Sequence, residues 1–140
     1  MKIPRESWTK IQMTIRQYPK SVKLITEWEM EVLDANLKAE DPTAHKTMLL
    51  QAEYAKRLRR EIEAVENALD HLNPQEQKVI RVRFWSRRSV VPYEYMRECN
   101  YSRRQMQNIV SYMVRLVGIE MGELNPRIWT TKKSVRILRL

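Results

Sequence analysis

The stretch NYSRRQMQN, residues 100–108, sets two arginines, two glutamines and two asparagines around one methionine. Guanidinium groups pair bidentately with guanine, and carboxamides with adenine, in the major groove of DNA. Such a cluster can read bases only if a rigid element holds it outward. Ser102 with Gln105 three residues later forms a capping-box pattern, which predicts that a helix starts there. At 100° per residue, Ile109, Val110, Met113 and Val117 lie within about 60° of Met106. Arg104, Asn108, Ser111 and Arg115 fall near the opposite pole, with Arg103 and Gln107 on the flank. One face packs and the other carries amides and guanidiniums. Ser102 and the helix N-terminus can hold a phosphate. The expected DNA contacts are Tyr101, Ser102, Arg103, Arg104, Gln105, Gln107, Asn108, Ser111 and Arg115. Two basic pairs join them: Arg87 with Arg88, and Lys132 with Lys133.

The residues upstream supply a supporting arm. Residues 93–99 predict a short helix, with Tyr95 and Cys99 spaced four apart to pack inward. Asn100 then occupies a tight turn that needs left-handed backbone, where Asn is the best substitute for Gly. Short helix, turn and polar-faced second helix predict a helix-turn-helix. Two neighbouring amphipathic helices of an all-α core would share this pattern except for the Arg/Gln/Asn cluster.

Charge points the same way. The net charge is +9. Residues 1–72 hold 12 Lys/Arg and 12 Asp/Glu, whereas residues 73–140 hold 14 and 5, so the whole excess lies in the second half. A balanced half beside a basic half fits a scaffold joined to a polyanion-binding module. The bland alternative is a basic, soluble surface.

The elements that must position the cluster are helical. The chain has 140 residues and only 2 Gly, against roughly 7% in an average protein, which argues against Gly-rich phosphate loops. Long segments are rich in Glu, Lys, Arg, Leu and Met, strong helix formers. We expect an all-α fold. Helices are predicted at 5–17, with Trp8, Ile11 and Ile15 on one face, and at 20–37, with Pro19 interrupting between them. A loop at 38–46 should follow, with Thr43 as the next cap. Residues 48–72 form the longest predicted helix. From Ala55, the apolar positions Leu58, Ile62, Val65, Leu69 and Leu72 step by 3 or 4, a heptad seam. The seam faces either the domain's own core or a second copy in a homodimer. NPQE, at 73–76, reads as a reciprocated cap for a helix over 74–86 that buries Val79, Ile80, Val82 or Phe84. Residues 86–92 connect it to the short helix. Residues 1–72 are expected to be a helical scaffold or dimerisation arm, 73–122 the DNA-binding domain and 123–140 a basic tail. That tail could be a β-hairpin wing or a short helix.

Little here points to an enzyme. His45 and His71 are isolated, and neither begins a metal-ligand spacing. Cys99 has no positioned base and reads as a packing residue. Glu27 and Glu31 share a helix face but lack an acid–base partner, and Arg59, Arg60, Glu61 and Glu63 read as a solvated face. Trp8, Trp28 and Trp85 are expected in the core; Trp129 is left open. No catalytic residue, metal ligand or cofactor is expected. No apolar run approaches the roughly 20 residues of a membrane span, so no membrane partner is expected. The N-terminus has no signal-like stretch and the single cysteine fits a reducing interior, which predicts a cytoplasmic protein.

LNPQEQKVIRVRFW, at 72–85, followed by YEYMRECNYSRRQMQNIVSYM, resembles region four of bacterial sigma factors, which reads promoter DNA. With RQYPKSVKLITEWEMEVL, EDPTAHKTMLL and RLRREIEAVENALDHL, the chain resembles the RinA family of phage late transcription activators over about residues 15–121. The resemblance implies a small DNA-binding regulator acting on a phage late promoter in a Gram-positive host. Its partners would be double-stranded DNA and host RNA polymerase. Two other classes remain open: a ring-forming small terminase subunit that packages phage DNA, and an adaptor that mimics region four and binds polymerase without reading DNA.

Overall fold

The computed structural model describes residues 2–38, 42–86 and 97–129. The described residues are all-α, as expected. Helix α1 spans Arg5–Lys38 and α2 spans Pro42–Asp70. Helix α3, Pro74–Ile80, runs on into a π-helical turn, Arg81–Trp85. Helix α4 spans Arg103–Glu120.

Pro19 does not interrupt α1, which runs straight through it. A proline inside a helix has no N–H for the carbonyl four residues back, here that of Ile15. The indole Nε1–H of Trp85 donates to that carbonyl oxygen at 2.7 Å. A side chain 70 residues away thus satisfies the acceptor that the proline leaves open. The Trp85 ring also packs on Tyr18, with centroids 5.3 Å apart. Helix α2 begins at Pro42, so the expected loop over 38–46 is shorter and Thr43 lies within the helix.

Helices α1 and α2 run antiparallel. Tyr18 donates to Glu66 at 3.1 Å, and Arg59 pairs with Glu29 at 3.0 Å rather than with Glu63. Burial and the Glu66 carboxylate both push the Tyr18 hydroxyl pKa up. The heptad seam finds its partner within the chain. Ala55 and Leu58 bury against Ile25, while Val65 and Leu72 enter the main core. Ile62 and Leu69 are only half-buried, and Ala64 and Ala68 are buried instead. A straight helix of 3.6 residues per turn drifts against a 3.5-residue repeat, so the buried face rotates off the strict seam.

The main core gathers Ile11 and Ile15 of α1, Ala64, Val65 and Ala68 of α2, Val79 and Ile80 of α3, Phe84, and most of α4. It therefore crosses the 72/73 divide expected between scaffold and reading domain. Val82 and Trp85 pack at its edge. Trp8 and Trp129 are half-buried against this core, and Trp28 against the smaller cluster at Ile25. The α2–α3 corner is closed locally. Asn73 accepts from the Glu76 N–H at 2.8 Å, and the Glu76 carboxylate accepts from the Asn73 N–H at 2.9 Å. The Gln77 amide donates to the carbonyls of Leu69 and Leu72 at the end of α2. Glycine is required at the close of α4. Gly122, at φ +81°, forms a Schellman motif: its N–H reaches the Ile119 carbonyl, and the Glu123 N–H reaches that of Gly118.

Candidate nucleic-acid interface

The candidate interface sits at the start of α4. Residues 97–99 are helical, and Asn100 follows with φ 56°, the left-handed conformation expected of the turn. Ser102 is the N-cap. Its Oγ accepts from the Gln105 N–H at 3.1 Å, and the Gln105 Oε1 accepts from the Ser102 N–H at 2.9 Å. The reciprocal cap fixes the first turn and occupies both of these side chains. Gln105 is accordingly half-buried.

The side chains beyond the cap divide along the helix. Arg103, Arg104 and Gln107 are exposed, and Asn108 and Ser111 are half-buried. Arg115 is half-buried as well, its guanidinium 5.8 Å from the Tyr112 ring centre and its Nε buried without a partner among the described residues. From Ile109 onward most of α4 is buried, because α1, α2 and α3 all pack on it. Tyr112, about 60° from the expected polar pole, is buried. The protruding polar surface is thus the first two turns, shorter than a full-length stripe.

Tyr101 corrects the expectation. It is 4% exposed, and its ring belongs to the main core. Burial, then the nearby Glu76 carboxylate, raise its hydroxyl pKa, while the Asn73 side chain pulls it down. The ring is packed in the core and is not available to a ligand. Cys99 is also buried, as its spacing predicted. Burial raises its thiol pKa; Lys78 lowers it and Glu98 raises it, both to a lesser degree. A neutral, buried thiol is a poor nucleophile.

The influence of Lys78 on Cys99 reveals a neighbour that spacing alone could not find. Lys78, on α3, and Arg97 are both exposed. Both add exposed positive charge outside residues 100–108. Arg87, Arg88, Tyr95, Lys132 and Lys133 lie outside the described residues, as do the 87–92 connection and the tail from 130. His71 is exposed, with Nδ1 2.8 Å from the Asn67 carbonyl at the end of α2. Among the described residues no group of three His, Cys, Asp or Glu could hold a metal ion, and no helix is long and apolar enough to cross a membrane.

No protein-family model, curated protein or solved structure matches the chain.

Proposed function

We propose that this chain is a sequence-specific DNA-binding transcription regulator, an activator of phage late genes, that reads promoter DNA with the first two turns of α4. It acts as a binding protein rather than a catalyst, and its second partner is the host RNA polymerase. One observation carries the reading. A helix start fixed by a reciprocal cap and preceded by a left-handed Asn100 holds Arg103, Arg104 and Gln107 in solvent, with Asn108 beside them. Such groups cost little to expose and gain most against base edges and phosphates. Lys78 and Arg97 add phosphate contacts beside the turn, and the +9 charge supplies the sequence-independent attraction.

A gel shift of the full chain on the phage's late promoter, with unrelated DNA as control, tests this reading. The promoter should be retained at salt concentrations that release the control. Equal retention of both would leave only general polyanion binding. Retention of neither, with polymerase still bound, would favour the region-four mimic.

A further inference from the structure

The far end of the α1–α2 hairpin forms an arm beyond the main core, with a shallow groove along one side. Leu24, Glu27, Trp28 and Glu31 line it from α1, and Tyr54 and Leu58 from α2. Tyr54 is 47% exposed there. The Trp28 indole N–H is buried with no acceptor among the described residues. Among the described residues, no third element covers this apolar edge.

The two rims carry opposite charge. Glu27 and Glu31 are exposed on the α1 rim. On the α2 rim, Arg57 lies over the Tyr54 ring, 5.2 Å from its centre. None of these three joins an ion pair with a described residue. Nearer the body the signs reverse. Lys20 shares an edge of α1 with Glu27, seven residues on, and Glu61 shares an edge of α2 with Arg57. The antiparallel contacts Tyr18–Glu66 and Arg59–Glu29 together set Arg57 between the levels of Glu27 and Glu31.

We propose that this groove is where two copies of the chain meet, related by a two-fold axis running parallel to the arm. A two-fold contact uses the same patch on both copies, so the patch must complement itself. With the axis along the arm, the α1 rim of each copy faces the α2 rim of the other. Glu27 and Glu31 then face Arg57, and the exposed Tyr54 of each copy covers the half-buried Leu24 and Trp28 of the other. An axis across the arm at the level of Glu27 and Glu31 would set carboxylates over carboxylates, which is unfavourable. The parallel axis also leaves both α4 N-termini at the same end of the dimer, the arrangement that two half-sites on one duplex require. The contact uses the outer edge of the arm; the seam itself, Leu58 included, is already packed against α1.

Sedimentation of the full chain over about 1–100 µM tests the proposal. The wild type should reach a dimer. Arg57→Glu should weaken that dimer by about tenfold or more, and so should Glu27→Arg with Glu31→Arg. All three changes combined should restore association toward wild type, because the opposition of charge is rebuilt with the rims exchanged. Circular dichroism must match wild type in each variant, and at least one of the two rim variants should pass, since every altered side chain is exposed. A wild-type monomer at about 100 µM, a closed ring, or a dimer indifferent to both rim variants would overturn it. The readout is mass, so a failed gel shift would count against the DNA reading and leave this one standing.

Discussion

In the body of the molecule, α1 and α2 bury Ile11, Ile15, Ala64, Val65 and Ala68 to 1% exposure or less. In the arm the same two helices bury Ile25, Ala55 and Leu58, and they leave Trp28 half-covered and Tyr54 in solvent. The body has a third layer: α4 lies across α1 and α2 and closes their groove, with α3 packed against α4 in turn. A pair of helices can bury one stripe each, and a dry core needs a further surface over the pair. The comparison teaches that α4 has two tasks. Its second half seals the body, and its first two turns are left over for a ligand.

The largest expected effect separates body from arm. Met113 is fully buried on α4, so Met113→Ala should lose about 3–5 kcal/mol in denaturant unfolding. Leu58→Ala in the arm should lose about 2 kcal/mol, because that site has fewer walls to leave a cavity between. Equal losses would mean that the arm is packed as well as the body.

Gly118→Ala sharpens the body side. An added Cβ would stand 2.6 Å from Ile11 Cδ1 and 2.7 Å from Leu124 Cδ1. Overpacking of this kind should cost about 1–3 kcal/mol, read as a lower thermal midpoint. An unchanged midpoint would show that Ile11 and Leu124 yield freely.

The junction of arm and body rests on Trp85. Trp85→Phe removes the donor to the Ile15 carbonyl and should cost about 1–3 kcal/mol. The same change made beside Pro19→Ala should cost less, because alanine restores a backbone N–H for that carbonyl. Strict additivity of the two changes would break this account of how Pro19 is tolerated.

The smallest effect on stability belongs to the first turns of α4. Arg104→Ala should leave the unfolding midpoint in place, because the side chain is exposed. It should weaken promoter binding by about 1–3 kcal/mol if it reads guanine bidentately. A variant that binds like wild type would remove Arg104 from the proposed reading surface.

What the sequence determined by itself was local. The caps at Asn73 with Glu76 and at Ser102 with Gln105, the left-handed Asn100, the helical fold and the inward side of α4 all follow from chemistry within one or two turns of chain. Periodicity can place a residue on a face, but it cannot say what meets that face or how far around the helix the covering extends. Only the tertiary structure decided that Pro19 lies within α1, because its remedy comes from Trp85 far along the chain. It also decided that the heptad seam is spent on α1, that Tyr101 belongs to the core, and that Arg115 is half-enclosed while Arg104 is free. Each of these depends on which surfaces close over one another, and burial is a property of the assembled layers rather than of any one helix.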